Sequence, residues 1–474
     1  MRVLCWGFGE ATPMVVLTTE AVKANVAARL KPRANESKVD LRRLPSPRRR
    51  TSPELARSFN FANRWEPGLD RESLMLLNGP SLGYMKGRRM RIAVFLFVVS
   101  LNGVSTAGGN LLSNQGYPNP DIRKLSIERH LIYEPTQEWT YSHHPHLAYF
   151  KGRFFAIWSN GRRDEDAPGQ RILLSTSEDF TNWSAPKPLV DSLPGKATQE
   201  LVLTAGGFHQ HEGVLVTFFA KYEADDTDTG LLAVTTTDGD TWSDIRALGI
   251  PVCPNHGPQR TKSGRLILAG HTSFPYTDDP TGLSGWKMTG IYPKETENYS
   301  DDPASIWRVR EKTGWPATLC EGSYYQTSDD VLHMLLRSTG EGYRGRLWLT
   351  ESEDDGENWS PPVETAFTDN NTKFHFGQLP DGRFYYVGCP DPKPGSNRSP
   401  LVLSLSKNGY AFDEHFVIAD EPFARKAEGR YKGGEYGYPH TLIHDGSLYV
   451  IDSRQKEAVE VIRVSLDRIG DTSR

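Results

Sequence analysis

Histidine is concentrated in segments of this sequence that also hold arginine, tyrosine and glutamate. The eight histidines concerned are His144, His146, His209, His211, His256, His271, His375 and His440. Histidine changes its charge near neutral pH and therefore suits proton transfer. Beside an arginine that neutralises a sugar carboxylate, histidine and tyrosine can move protons to and from the neighbouring carbon. This combination predicts acid-base chemistry on an acidic sugar.

The overall composition argues against a nucleic-acid partner. Lys and Arg number 55 and Asp and Glu 59, so the net charge is only −4 and gives no electrostatic reason to bind nucleic acid. The four cysteines have neither metal-site spacing nor a disulfide framework. The pair His209-x-His211 suits a metal, but this spacing alone is a weak signal. We therefore expect no metal and no cofactor.

The N-terminal part contains an internal segment with the three features of a secretory signal. A basic stretch begins after Met85, an apolar block runs from Ile92 to Leu101, and small residues precede residue 108. Because signals stand at chain starts, we expect translation to begin at Met85 or Met90. Residues 1–84 are then a disordered or mis-annotated extension, 85–107 a signal peptide and 108–124 a linker. The alternative for the apolar block is a buried strand or a membrane anchor.

A recurring turn organises the rest of the chain. The full copy, Ser352–Trp359, reads Ser-x-Asp-x-Gly-x-Asn-Trp, in which Ser and Asp can bind backbone amides, Gly can take a positive φ and Trp can cover the sheet. Shorter copies are Ser177–Trp183, Thr236–Trp242 and Ser406–Phe412, and Asp301–Trp307 lies where a worn copy is expected. The structural residues of the three Trp-ended turns are Ser177, Asp179, Trp183, Asp238, Gly239, Trp242, Ser352, Asp354, Gly356 and Trp359.

Short apolar strands separated by hairpin turns lie between these copies. Turns such as Lys151-Gly152 and Asp381-Gly382 are typical of β-hairpins. Six units of about 58 residues fill the chain from residue 125 to its end, which predicts an all-β fold, a six-bladed β-propeller with four-stranded antiparallel blades. We expect the segment Leu125–Tyr133 to complete the last blade or a neighbouring one. A pair of β-sandwiches is the alternative.

The repeated turns resemble the Asp boxes, or BNR repeats, of the sialidase (neuraminidase) superfamily. The resemblance covers residues 125–474 and implies a six-bladed propeller whose boxes lie on the face opposite the active site. The same repeat occurs in exo-acting glycosidases, in some lyases and in sugar-binding propellers, so it implies the fold more strongly than the reaction.

The resemblance also implies roles for residues near the predicted axis. A sialidase needs three arginines around the substrate carboxylate, a tyrosine nucleophile with a glutamate partner, and an aspartic acid as general acid. Arg337 and Arg398 are candidates for the carboxylate, with Arg162, Arg163 or Arg454 as the third. The nucleophile is Tyr438 or Tyr436, its partner Glu321 or Glu435, and the acid Asp164 or Asp166.

Together these arguments predict an exported, exo-acting glycoside hydrolase for an acidic or deoxy sugar, without a stable membrane span. The predicted catalytic residues are Glu321, Tyr438, His256 and His144. The predicted substrate-binding residues are Arg337, Arg398, Arg162, His440, Lys221 and Gln259. The alternatives are a polysaccharide lyase using His, Tyr and Arg, and a propeller that binds glycans without catalysis. In each case the partner is a carbohydrate.

Overall fold

The structure, a computed structural model, describes residues 112–119, 121–224, 227–291, 317–340, 343–393 and 397–470. The predicted extension (1–84), the predicted signal peptide (85–107) and the worn turn copy at Asp301–Trp307 lie outside these residues. Within the described part, no helix has the length and apolar character that a membrane crossing requires.

Twenty-three strands and one short helix, α1 (Asp467–Gly470), make up the regular structure of the described residues. The first three sheets contain β2 (Tyr141–Phe150), β3 (Arg153–Gly161), β4 (Arg171–Ser177) and β5 (Lys187–Val190); β6 (Val202–His211), β7 (Val214–Tyr222), β8 (Gly230–Thr236) and β9 (Arg246–Ala247); and β10 (Gln259–Arg260), β11 (Leu266–Ile267) and β12 (Tyr276–Thr277). The fourth and fifth contain β13 (Thr318–Gln326), β14 (Leu332–Thr339), β15 (Arg346–Ser352) and β16 (Val363–Thr368); and β17 (His375–Gln378), β18 (Phe384–Gly388), β19 (Leu401–Ser406) and β20 (Glu414–Ala419). The sixth contains β21 (Gly437–His444), β22 (Ser447–Arg454), β23 (Ala458–Ser465) and β1 (Glu128–Tyr133).

The fold is all-β, with five four-stranded antiparallel sheets and one three-stranded sheet in the described part of the chain. Six hydrophobic clusters hold the sheets of the described residues together, and five of them lie between two sheets that follow one another in sequence. The remaining cluster packs Trp158 of the first sheet against Ile451 of the sixth. Both faces of each sheet are therefore buried, which accounts for the nearly continuous apolar runs in strands such as β7 and β19.

The N-terminal strand β1 belongs to the last sheet, as the sequence predicts. It pairs antiparallel with β23, with Glu128 opposite Arg463. The segment before it, predicted to be a linker, packs against the fifth sheet: Leu112 is buried, and Lys124 forms a parallel bridge with Val417. The last sheet therefore contains both the first strand and the last strands of the described chain. Because the chain continues from β1 into β2, this pairing connects the sixth sheet to the first.

The repeated turns have the hydrogen bonds that their residue types predict. In the full copy the Asp354 carboxylate accepts from the Asn358 amide at 2.8 Å, and the Ser352 hydroxyl accepts from the Gly356 amide at 2.8 Å. Gly356 has a φ of +87°. Trp359 packs against the apolar cluster between the third and fourth sheets. The turn therefore closes on itself and covers the end of the core.

Two turns depart from the predicted pattern. Phe180 stands at the left-handed position that glycine occupies elsewhere, with a φ of +68°, and its ring contacts Tyr449 of the sixth sheet. The third sheet has a turn of the same kind that the sequence analysis missed: Asp279 accepts from the Thr281 amide at 3.0 Å, and Trp286 donates to the Gly282 carbonyl at 2.9 Å. Its longer spacing hides it from the sequence pattern.

The repeated turns lie at the opposite end of the sheets from the beginnings of the innermost strands. In the fourth sheet Ser352, where the turn starts, is opposite Leu332, whereas Cys320, near the start of β13, is opposite Arg337 at the far end of β14. The predicted separation of turns and site residues is therefore present in this sheet.

A substitution at Gly239, in the second turn, can show how much close contact between a turn and the neighbouring sheet contributes to stability. Its φ is +83°, and a Cβ there would lie 2.7 Å from Phe155 Cζ in the first sheet. Gly382, in the exposed hairpin between β17 and β18, has a φ of +90° and no atom within 4 Å of such a Cβ. We expect Gly382→Ala to destabilise by about 1–2 kcal/mol through backbone strain alone. Gly239→Ala should lose about 1–3 kcal/mol more through overpacking.

The measurement is the free energy or midpoint of unfolding of both variants under the same conditions. A Gly239→Ala variant as stable as Gly382→Ala would show that the turn does not depend on close contact with the neighbouring sheet.

Candidate active site

Four innermost strands carry a β-bulge near their starts, and these bulges direct side chains toward a common point. The register shifts between His143 and His146 in β2 and between Cys320 and Ser323 in β13, with corresponding shifts in β6 and β21. The bulged residues His144, Glu321 and Tyr438 have φ values of 54°, 53° and 56°. Non-glycine residues adopt this conformation at an energetic cost, and such strain is concentrated at functional sites.

These three bulged side chains line one cavity of about 190 Å³. Its titratable wall residues also include Glu165, Asp166, Tyr222, His271 and Arg337. Strands of the first, second, fourth and sixth sheets contribute to it, together with the loops after β3 and β7 and segments beside β10 and β11 of the third sheet. The cavity is thus the place where the chemically active residues of separate sheets meet.

Glu321, Tyr438 and Arg337 form a closed set of contacts on the cavity wall. The Tyr438 hydroxyl donates to Glu321 Oε1, and Arg337 Nη1 donates both to Glu321 Oε2 and, at 2.8 Å, to the Tyr438 oxygen. Arg337 Nε donates to Asn371 Oδ1 at 2.7 Å, which fixes the plane of the guanidinium. The arrangement holds an ionised carboxylate against a phenol, so the carboxylate can accept the phenolic proton.

Burial and neighbouring charges shift the pKa values of Glu321 and Tyr438 in opposite directions. Burial raises the pKa of Glu321, but Arg337, His271 and the Tyr438 hydroxyl outweigh it and hold the pKa at about 2. Burial also raises the pKa of Tyr438 well above its usual range, against the effect of Arg337. Glu321 is therefore ionised at neutral pH while Tyr438 is protonated, so a nucleophilic Tyr438 must lose its proton as it reacts.

Two further cations lie next to the Tyr438 ring. Lys373 Nζ and Arg398 Cζ are each 5.4 Å from the ring centroid. Burial lowers the pKa of Lys373 to about 8, although Glu321 acts against this, and its ammonium has no hydrogen-bond partner among the described residues. The surroundings of Tyr438 are thus strongly positive, which suits an anionic ligand.

The loop after β3 brings two carboxylates, Glu165 and Asp166, to the cavity. Asp166 accepts a hydrogen bond from the Tyr222 hydroxyl at 2.6 Å. Glu165 binds Lys456, and its other oxygen lies 3.6 Å from His144 Nε2. The predicted acid Asp166 therefore reaches the cavity. Asp164 instead accepts from the Arg430 amide at 2.6 Å and is not part of the cavity wall.

His256 and His440, predicted as catalytic and substrate-binding residues, lie outside this wall in a buried group with His146 and His375. The rings of His256 and His375 are stacked at 4.4 Å, and those of His375 and His440 at 4.7 Å. Burial, with Lys373, lowers the pKa of His256 well below its usual range. Burial likewise lowers the pKa of the other three, so these four imidazoles are neutral. His256 and His440 are not among the residues that line the cavity, and their contact with substrate stays a prediction.

Three other predicted substrate-binding residues lie away from the cavity. Arg162 pairs with Glu200 at 3.0 Å. Lys221 pairs with Asp228 at 2.7 Å, and Gln259 lines a separate groove beside Tyr324. Arg162 and Lys221 are held by surface carboxylates, and this accounts for their positions.

The structure also separates the alternatives for the nucleophile, its partner and the third arginine. Tyr436 donates to the Glu421 carbonyl at 3.0 Å, and Glu435 accepts from Gln455 at 2.7 Å. Arg454 forms a buried pair with Glu460 at 3.0 Å. Of the alternatives for the nucleophile and its partner, Tyr438 and Glu321 line the cavity, together with Arg337, and Tyr436 and Glu435 do not.

Several residues at or near this cavity were not predicted as site residues from the sequence, chiefly Lys373, Asn371, His143 and Glu165. Lys373 precedes His375 by two residues, so the approach to β17 offered a signal. Glu165 lies between the two aspartates considered as the acid. Among the described residues, two groups could hold a metal ion: His256, His375 and His440; and His143, His144 and Glu165.

Comparison with known families supports the sialidase-like assignment. The model of a family described as the BNR repeat-like domain matches residues 152–450. A second model, for an N-terminal beta propeller, matches residues 101–201. No curated protein matches the chain.

Solved structures with similar folds include sialidases. A Dyadobacter fermentans protein of unknown function is 14% identical with a TM-score of 0.52, covering 73% of this chain and 100% of its own. A sialidase is 19% identical with a TM-score of 0.51, covering 75% of this chain and 34% of its own. Trypanosoma rangeli sialidase in complex with sialic acid is 13% identical with a TM-score of 0.50, covering 73% of this chain and 60% of its own.

These identities show a shared fold, and the chain spans only part of the two sialidases. The family match covers most of the sheets described above. The protein therefore belongs to the BNR repeat-like domain family and has a sialidase-like propeller fold.

Proposed function

We propose that the protein is an exo-acting glycoside hydrolase of the sialidase type that removes an acidic sugar. The observation that carries this proposal is the contact among Tyr438, Glu321 and Arg337 on the cavity wall. A phenol beside an ionised carboxylate is a nucleophile with its base, and the adjacent guanidinium can bind a carboxylate. The sugar-bound sialidase of similar fold supports the same kind of substrate.

In this mechanism Tyr438 attacks the anomeric carbon of the sugar while its proton passes to Glu321 Oε1. The low pKa of Glu321 keeps the carboxylate ionised and ready to accept that proton. Because the phenol pKa is raised by burial, the proton leaves only as the new C–O bond forms. Asp166, which also lines the cavity, protonates the departing glycosidic oxygen and later activates the water that releases the sugar.

The substrate's carboxylate is held by the positive charges around Tyr438. Arg337 lines the cavity, and Arg398 and Lys373 lie beside the Tyr438 ring. Lys373 thus takes the place proposed from the sequence for a third arginine. A neutral sugar would leave the buried Lys373 ammonium without a hydrogen-bond partner, so the site favours acidic substrates.

We also propose that the protein is a six-bladed propeller and that it is exported. The six sheets and the six clusters between them support a six-bladed propeller closed by β1 in the last blade. The apolar block in residues 85–107 supports export to the cell exterior or periplasm, with residues 1–84 absent from the mature protein. N-terminal sequencing of the native protein tests the second point, since a start before Met85 contradicts it.

The activity is tested with aryl glycosides of acidic sugars, including sialic acid and uronic acids, beside neutral counterparts. We expect turnover of an acidic glycoside and a loss of about 100- to 10,000-fold in kcat/KM for Glu321→Gln and for Tyr438→Phe. The exposed residues Glu353 and Tyr431 provide controls, and Glu353→Gln and Tyr431→Phe should keep full activity. An unsaturated product absorbing in the ultraviolet would identify a lyase instead. Glycan binding without turnover would identify a binding propeller.

Activity on the acidic glycoside should depend on pH through Lys373. With a pKa of about 8, Lys373 is charged below pH 8 and neutral above it, so kcat/KM should fall as the pH rises through 8. The variant Lys373→Met has no such charge and should be weakly active and flat across this range. An unchanged fall above pH 8 in Lys373→Met would assign that limb to another group.

A further inference from the structure

Three metal-ligating atoms converge on the cavity wall next to Tyr438. His143 Nε2 and His144 Nε2 lie 3.8 Å and 3.6 Å from Glu165 Oε1. Tetrahedral zinc with bonds of about 2.0–2.1 Å places its ligand atoms about 3.3–3.4 Å apart. The two distances to Glu165 need to shorten by only a few tenths of an ångström, and the ligand atoms of all three residues lie within 4.8 Å of one another.

The β2 bulge explains why two consecutive histidines reach the same point. Side chains alternate between the faces of a regular strand, so neighbours diverge. In β2 the register shifts between His143 and His146, and His144 adopts a φ of 54°. The rings of His143 and His144 consequently lie with centroids 4.6 Å apart and planes tilted by 56°, so their nitrogens can converge.

The hydrogen bonding of His143 suits a metal ligand, because Nδ1 is bonded and Nε2 is not. Its side chain is fully buried, and Nε2 has no hydrogen-bond partner among the described residues. Ser453 donates its hydroxyl proton to the Gly437 carbonyl at 3.2 Å, so its oxygen accepts from His143 Nδ1 at 2.6 Å. The Nδ1–H tautomer leaves a lone pair on Nε2, and such outer hydrogen bonds orient metal-binding histidines.

The remaining contacts leave room for a cation. Lys456 binds Glu165 Oε2, and Oε1 faces the histidines and accepts from the Tyr141 hydroxyl at 3.3 Å. The charges of Lys456, Arg398 and Lys373 oppose cation binding, so removal of the Lys456 charge should strengthen it.

The second histidine group is less suitable. The rings of His256, His375 and His440 are stacked nearly parallel, so their in-plane lone pairs do not converge. His256 Nε2 donates to the Phe374 carbonyl at 2.9 Å, and His375 Nδ1 accepts from the Thr441 amide at 3.0 Å. These nitrogens already have backbone partners.

We propose that His143, His144 and Glu165 bind one zinc ion whose fourth position opens into the cavity beside Tyr438. Two histidines, one carboxylate and one open position form the ligand set of catalytic rather than structural zinc sites. The open position would bind a water molecule or an oxygen of the sugar. This proposal stands on the ligand geometry alone and does not depend on the reaction proposed above.

The test uses the full chain, treated with a chelator, dialysed and titrated with zinc chloride by calorimetry, with cobalt absorption spectra as a second readout. We expect one tightly bound equivalent. Ser453→Ala should weaken binding about 10- to 100-fold, and His143→Ala and Glu165→Gln should weaken it more. Lys456→Met should bind more tightly. His130→Ala, at a surface His–Glu pair, should bind as the parent does.

Folding of each variant is checked by circular dichroism and by its unfolding midpoint, so that loss of binding is separated from loss of structure. Glu165→Gln and Ser453→Ala are small changes that keep this comparison possible. The absence of a saturable equivalent would overturn the proposal. Binding that survives His143→Ala but is lost in His375→Ala would overturn it too, because the metal would then lie in the stacked group.

Discussion

The buried Glu321 carboxylate is the group on which the rest of the site depends. Only 6% of Glu321 is exposed, and removing a carboxylate from water costs several kcal/mol unless a cation and hydrogen bonds compensate. Arg337, on the next strand of the same sheet, and Tyr438, from the sixth sheet, supply that compensation. Asn371, just before the fifth sheet, orients Arg337. The ion pair is therefore stable only when three sheets are assembled correctly.

The bulges explain how separate sheets can aim residues at this one place. The equivalent bulge in the second sheet contains Gly207, where a Cβ would lie 2.3 Å from the Gly257 amide nitrogen. There the neighbouring loop fills the space, and glycine is required. In the other three strands His144, Glu321 and Tyr438 share a strained conformation with a φ near +55°. The strain is retained where the side chain reaches the cavity, which is the pattern expected of functional positions.

Sequence reasoning succeeded where a structure depends on neighbouring residues. The turn at Ser352–Trp359 could be predicted because its hydrogen bonds join residues at most four positions apart. Glu321, Arg337 and Tyr438 could also be chosen as candidates from the sequence, since each lies near one end of an apolar strand. It could not place Arg162 or Lys221, because the carboxylates that hold them are fixed by loop geometry.

The face of the sheet on which each side chain of a strand lies was also hard to predict from the sequence. A bulge reverses the face of every residue beyond it, and a non-glycine bulge has no sequence signature here. His143 and His144 therefore could not be assigned to the same side from their positions. Lys373 was missed for a related reason: it precedes a short strand, and only the assembled sheets bring it beside Tyr438.

The enrichment of histidine at the centre of the molecule has a structural cause as well as a chemical one. Innermost strands leave backbone groups without partners on their inner edge. His440 Nδ1 accepts from the Leu147 amide at 3.3 Å and His375 Nδ1 from the Thr441 amide at 3.0 Å, while His256 donates to the Phe374 carbonyl. A neutral imidazole offers one donor and one acceptor, so it can satisfy such groups on two strands at once.

This role requires the imidazoles to stay neutral, because a protonated ring cannot accept from an amide. Burial and the charge of Lys373 lower the pKa of His375 to about 3 and so preserve the acceptor. Lys373 therefore has two effects. It helps to keep the stacked histidines neutral, and it adds positive charge beside Tyr438. The histidines at the centre thus divide by environment: the stacked group joins strands, and His143 and His144, beside Glu165, remain available for chemistry.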